Sequence, residues 1–144
     1  MDNSTMQRNE NLSFSNESQQ LQILVAEDNQ VNQFIINKMF AHLGYTVDIA
    51  NNGKEAVEKA AGKQYNFIFT DIYMPEMDGF EATTQILQQA SSANAPAPVI
   101  VAMTASAMKE DRDECLRMGM NDYITKPVDI PQLQSILEKW NKLQ

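Results

Sequence analysis

From Leu21 onward, short apolar runs alternate with longer amphipathic stretches, and that alternation restricts the possible folds more than any other feature of the chain. Strand-sized runs separated by helix-sized segments point to an α/β domain, a parallel sheet with helices covering it. The runs predict strands over Gln22 to Ala26, Thr46 to Ala50, Asn66 to Thr70, Pro98 to Met103 and Asp122 to Ile124. Several are short and rich in Ile, Val and Phe, as strands covered on both faces are.

The intervening segments carry helix signals. A first helix, about Gln30 to Leu43, places Val31, Phe34, Ile35, Met39 and Leu43 near one stripe, which predicts their burial; Gly44 supplies the stop. A second runs from about Gly53 to Ala61, and a third, about Phe80 to Ala90, is expected to bury Phe80, Ile86, Leu87 and Ala90. The fourth, about Ala107 to Met118, has only a thin apolar face. Asp129 caps the last, with Pro131 in its first turn and Leu133, Ile136, Leu137 and Trp140 at i, i+3, i+4 and i+7. Five β-α pairs make one domain over residues 21–144 of the 144-residue chain. Residues 1–20 are mostly Asn, Ser, Thr and Gln, with Leu12 and Phe14 as the large apolar residues besides two Met. Such a segment cannot offset an ordering cost of about 1 to 2 kcal/mol per residue, so a disordered polar tail is expected.

Composition removes several functional classes. Nineteen acidic residues against 11 basic ones leave a net charge of -8, which disfavours a phosphate backbone as partner, and no Lys or Arg cluster offsets it. The longest apolar runs fall far short of the roughly 20 residues that span a bilayer. Residues 1–20 have neither the basic start nor the apolar run of a signal peptide. A single Cys115 fits a reducing compartment. These features predict a cytoplasmic domain with no direct nucleic-acid or membrane contact.

Ligands of an open parallel sheet bind beyond the carboxyl ends of its strands. There the sequence places Glu27 and Asp28 after strand one, Asp71 after strand three, Thr104 after strand four, and Lys126 and Pro127 after strand five. Taken singly, each has an ordinary explanation: Asp28-Asn29 as a helix cap, Asp71 as a turn residue, Thr104 as a cap, Lys126 as a solvated charge. Their joint occurrence along one edge is poorly explained that way. Carboxylates 4 Å apart repel by roughly 4 kcal/mol at an effective dielectric near 20. A divalent cation cures this, and Mg²⁺ typically takes one or two carboxylates plus phosphate oxygens. The set suits phosphoryl transfer to a carboxylate, with the cation, an ammonium and a hydroxyl stabilising the transferred group. No Gly-rich phosphate loop is present.

Four stretches then carry a family resemblance: Ile23-Leu24-Val25-Ala26-Glu27-Asp28-Asn29, Asp71-Ile72-Tyr73-Met74-Pro75-Glu76-Met77-Asp78-Gly79, Val101-Ala102-Met103-Thr104-Ala105 and Tyr123-Ile124-Thr125-Lys126-Pro127. The chain resembles a response-regulator receiver domain of two-component signalling, and with Val31-Asn32 after Asn29 it is most similar to receivers of hybrid sensor histidine kinases. The resemblance implies a flavodoxin-like, doubly wound (β/α)5 fold with strand order 2-1-3-4-5. It implies that Asp71 accepts the phosphoryl group and that Glu27, Asp28, Asp71 and the backbone carbonyl of Tyr73 hold Mg²⁺. Thr104 would bond a phosphoryl oxygen, Lys126 would pair with it, Tyr123 would be the aromatic switch, and the Lys126-Pro127 bond would be cis. The implied phosphodonor is a histidine kinase or a histidine phosphotransfer protein, and the domain is a monomer or weak dimer, a switch and not an enzyme. Its first acidic pair is Glu-Asp where many members have Asp-Asp, which lengthens one ligand arm. Tyr73 and Ser106 occupy positions that vary in the family and tune phosphoryl lifetime.

Other residues have plainer readings. His42 suits a helix C-terminus; Cys115 is a small hydrophobe and the nine Met residues are gap-fillers. Trp140 continues an apolar stripe, Asn51-Asn52-Gly53 turns into a helix, and residues 90–98 form a flexible loop. Two rivals compete with a phosphorylated switch. One is a receiver-like docking module that is never phosphorylated, which the intact Glu27, Asp28, Asp71, Thr104 and Lys126 disfavour. The other is a flavin-binding carrier, whose FMN phosphate the carboxylates would repel. No DNA-binding domain follows within this sequence, so the expected readout is protein contact, at the fourth helix, fifth strand and fifth helix, or onward phosphotransfer.

Overall fold

The computed structural model describes residues 21–106 and 108–141; the polar tail expected over 1–20 lies outside them. Strands β1 (Ile23–Ala26), β2 (Val47–Ala50), β3 (Phe67–Asp71), β4 (Val99–Thr104) and β5 (Asp122–Thr125) alternate with helices α1 (Gln30–His42), α2 (Gly53–Gly62), α3 (Gly79–Ser92), α4 (Lys109–Arg117) and α5 (Ile130–Asn141). All the strands pair in parallel, in the order β2-β1-β3-β4-β5. The doubly wound fold is therefore as the sequence predicts, with strand boundaries shifted by about one residue.

Because side chains alternate across a strand, each strand feeds two cores. Leu24, Ile68, Ile100 and Ala102 face α2, α3 and α4 together with Val57, Ile86 and Cys115. On the opposite face, Val25, Phe67, Phe69 and Val101 meet α1 and α5 through Phe40, Leu133 and Leu137. Phe69 anchors this second layer, with the Phe40 ring edge-on at 5.2 Å and Phe67 stacked at 6.0 Å. Strand ends and helix starts are fixed by local chemistry. Asn29, Asn52 and Asp78 cap α1, α2 and α3 by accepting from the backbone N–H three residues on, and Asp129 accepts from Gln132 N–H at the start of α5.

Two helices differ from the sequence reading. Of the stripe predicted for α1, Met39 and Leu43 pack against the core beside the buried Ile36 and Phe40, whereas Val31, Phe34 and Ile35 are 66%, 63% and 44% exposed. Both sets satisfy helical spacing, and it is the Phe40 ring that takes the place against Phe69, edge-on at 5.2 Å. The fourth helix begins at Lys109, with Ala107 outside the described residues, and Cys115 is its one buried side chain.

Candidate functional site

Register builds the site before any side chain is considered. Ala26 pairs with Thr70, so Glu27 and Asp71 leave the adjacent strands β1 and β3 at one level and on the same face. Lys126 follows β5 on that face too, and its backbone N–H donates to the Thr104 carbonyl at 2.7 Å. Thr104 and Tyr123 have the opposite parity and lie toward α4, with Ala102 opposite Tyr123 and Thr104 opposite Thr125. The sheet thereby divides the predicted residues into an ionic group and a hydroxyl-aromatic group.

In the ionic group, the Lys126 ammonium bridges two carboxylates, 3.1 Å from Asp71 Oδ2 and 3.3 Å from Glu27 Oε1. The Glu27 side chain is 1% exposed, and its other oxygen accepts from Asn29 N–H at 3.1 Å and Asn32 Nδ2 at 3.5 Å. Asp71 Oδ1 accepts from Ile72 N–H at 3.0 Å, so both ends of that carboxylate are held. Asp28 is exposed, and since Asn29 is the cap of α1, helix capping does not claim the Asp28 carboxylate. One oxygen from each of Glu27, Asp28 and Asp71 lies within 4.8 Å of the others. A set of hard, anionic oxygens at that spacing fits a small divalent cation.

Burial pushes the Asp71 carboxyl above the usual carboxylate range; the Lys126 charge pulls it back, and Glu27 pushes it up again. For Lys126, burial alone would lower the ammonium, but Asp71 and Glu27 outweigh it and hold it above its ordinary value. The site is an underneutralised pocket, with two carboxylates sharing one ammonium and a third at its mouth.

The Asp71 loop is locked from two sides. Gly79 N–H donates to Ile72 O at 2.6 Å, and a Cβ on Gly79 would collide with the Asp71 carbonyl oxygen. Gly53 N–H donates to Met77 O at 3.1 Å, and a Cβ there would strike that same oxygen. Glu76 at the tip takes φ 70, an uncommon conformation for a residue with a side chain. Tyr73 projects from this loop with its side chain 75% exposed, and the Lys126-Pro127 bond is cis.

In the second group, Thr104 is buried, with Oγ1 accepting from Ser106 N–H at 3.1 Å. Tyr123 packs against the α2-α3-α4 core, and its hydroxyl accepts from Arg112 at 2.8 Å. Sequence reasoning missed Arg112, which lies on another element with no motif to mark it. It also missed the role of Asn32 beside Glu27, although Asn32 stands in the run that carries the resemblance.

Comparisons with known proteins agree with this geometry. The response regulator receiver domain model matches residues 23–138. Hybrid signal transduction histidine kinase B of Dictyostelium discoideum is 45% identical over 114 residues, 74% of this chain and 6% of the relative. The receiver domain of sensor histidine kinase PA1611 from Pseudomonas aeruginosa, solved with magnesium coordinated in its active-site cleft, is 42% identical with a TM-score of 0.73, over 83% of this chain and 96% of that one. The receiver domain of Saccharomyces cerevisiae Ssk1, co-crystallised with the histidine phosphotransfer protein Ypd1, is 33% identical with a TM-score of 0.81, over 86% of this chain and 90% of that one. The chain spans only 6–7% of the first curated relatives it matches. Among the described residues no helix is long and apolar enough to cross a membrane. The sheet order, the carboxylate edge and these matches make one conclusion: this chain belongs to the response regulator receiver domain family.

Proposed function

We propose that the domain is a phosphorelay receiver that takes a phosphoryl group from a phosphohistidine, on a histidine kinase or a histidine phosphotransfer protein, onto Asp71. One observation carries this reading: a single ammonium, Lys126, shared between Asp71 and Glu27 at strand ends where a third carboxylate also converges. The Ypd1 complex of the Ssk1 receiver and the magnesium in the PA1611 cleft support it by analogy.

In the transfer, an Asp71 oxygen attacks phosphorus, the P–N bond to the donor imidazole breaks, and its electron pair returns to the ring nitrogen. The Ile72 N–H and Lys126 fix the orientation of the nucleophile beforehand. Lys126 then pairs with the incoming phosphoryl oxygens, and the Thr104 hydroxyl donates to one of them. Glu27, Asp28, Asp71 and the Tyr73 carbonyl would hold Mg²⁺, which would supply positive charge for an anionic group entering a nest of carboxylates. Because Asp71 itself carries the product, the domain acts as a switch in the cytoplasm and not as a turnover enzyme. The acidic surface and the single buried Cys115 suit that location.

The outward stripe on α1 gives the phosphodonor a place to dock. Val31, Phe34 and Ile35 are exposed beside a groove of about 130 Å³ lined by Ile35, Met39, Pro127 and Val128, which opens next to Glu27 and Lys126. An apolar patch rimming a charged site suits the apolar face of a partner helix. Output is assigned to α4, β5 and α5, where Tyr123 reports the state of Thr104.

The test is intact-protein mass spectrometry with acetyl phosphate and Mg²⁺. One phosphoryl group adds per chain, labile to base, and Asp71→Asn takes none; unchanged labelling in that variant refutes the assignment. Phe34→Ala should slow transfer from a phosphotransfer protein about thirtyfold, the size of a hot-spot loss of about 2 kcal/mol, and leave labelling by acetyl phosphate intact.

A further inference from the structure

We propose that Ser106 and Asp111 form the mechanical link by which a displacement of Thr104 reaches α4, a proposal that rests on the receiver reading above. The first connection is the Ser106 N–H, which donates to Thr104 Oγ1 at 3.1 Å. The Ser106 hydroxyl donates in turn to Asp111 Oδ2, in the first turn of α4, and accepts from Met108 N–H at 3.3 Å. The next residue, Arg112, donates to the Tyr123 hydroxyl at 2.8 Å with its guanidinium 5.3 Å from the ring centre. Two tethers therefore meet on consecutive residues: Asp111 ties α4 to the loop after β4, and Arg112 ties it to β5.

Three features make these ties decisive for where α4 sits. Cys115 is its one buried side chain, so apolar packing holds it weakly. Its N-cap is Met108, which supplies no capping side-chain bond, and Ser106 takes over part of that task. Finally, a hydroxyl accepts and donates at once. Thr104 can keep Ser106 N–H on its lone pair while its own proton turns to a phosphoryl oxygen, so a move of Thr104 pulls the loop instead of releasing it. In this arrangement Ser106 and Asp111 are positioning residues, and neither touches the reacting atoms.

The experiment compares amide exchange over residues 109–117 with and without beryllofluoride and Mg²⁺, alongside acetyl phosphate labelling of the same full chains. Wild type and Ser106→Thr, which keeps the hydroxyl, should show the full response. Asp111→Ala should label within twofold of wild type, and both it and Ser106→Ala should lose at least two thirds of the α4 response. Asp111→Asn keeps an acceptor oxygen and should retain most of it, an outcome that a role for the charge alone does not produce. Normal labelling with a wild-type α4 response in both alanine variants overturns the link and leaves the receiver reading standing. Failure of wild type to label overturns that reading and the link with it. The Asp111 pair carries the test even if Ser106→Ala folds poorly.

Discussion

Asp71 and Lys126 meet at 3.1 Å at the carboxyl edge of the sheet, and Asp48 and Lys63 meet at 3.0 Å where the edge strand β2 passes the end of α2. The contacts are nearly identical in length, yet the two carboxyls respond in opposite directions. Asp48 is held below the usual range, first by the Tyr65 hydroxyl donating to it at 2.7 Å, with burial pushing the other way and Lys63 adding to the lowering. Asp71 is pushed above it, because burial and the Glu27 charge outweigh the same kind of lysine. An ion pair's length thus says little about whether its anion is content. Asp48 has two donors and open solvent, with side chains 40% and 46% exposed across the pair. Asp71, 15% exposed, shares its lysine with a buried rival. The first arrangement is a finished structural contact, and the second is poised to take on another positive centre.

Removing the lysines should separate the pairs most sharply. Without metal, Lys126→Met leaves two carboxylates facing each other in a buried setting and should cost about 3 kcal/mol, the range for breaking a buried pair. Lys63→Met should cost less than about 1 kcal/mol, as for exposed pairs. Urea denaturation in EDTA decides it, and equal costs would erase the distinction. Next in size is the metal effect. Mg²⁺ at 100 times its dissociation constant should stabilise wild type by about 2.7 kcal/mol. Asp28→Ala should lose that gain, and Asp48→Ala should keep it. In EDTA, Asp28→Ala should be at least as stable as wild type, since it removes repulsion and the α1 cap is Asn29. Equal Mg²⁺ gains in wild type and Asp28→Ala would show the site to be misassigned.

Neutralising the aspartates should give the smallest changes, of opposite sign. A raised native pKa means that the protonated form favours folding, so stability falls as pH climbs past the unfolded value of about 4. At pH 7 without metal, Asp71→Asn should therefore stabilise the fold. Asp48 is the reverse case: its contribution is present above that value and lost as pH falls through the lowered native one. Asp48→Asn should cost about 0.5 kcal/mol at pH 7, discounted for solvent exposure. That difference should shrink as pH falls below the unfolded value. Two changes of the same sign would contradict the electrostatic contrast.

The sequence made the edge at Glu27, Asp71, Thr104 and Lys126 legible because it lies on strand ends, and strands announce themselves by apolar runs. It did not make α1 legible in orientation. Val31, Phe34 and Ile35 obey the same helical spacing as Ile36 and Phe40, and only the Phe69 ring across the interface chooses between them. Nor could it pair Asp48 with Tyr65, or Arg112 with Tyr123, because those partners are brought together by helix placement and no local pattern encodes it. The hydrogen bonds that orient Glu27 come from Asn29 and Asn32, residues whose spacing also reads as an ordinary helix start.

Gly53 and Gly79 lie against the carbonyls of Met77 and Asp71. A library of variants sorted twice, once for soluble expression and once for signal output, should therefore separate scaffold from chemistry at neighbouring positions. Alanine at 53 or 79 should fail both sorts, since the loop behind the nucleophile has no room to retreat. Asparagine at 71 should pass the first and fail the second. Positions without a side chain would then rank among the least replaceable in the molecule, and a reader of the second sort alone would mistake them for participants in the reaction.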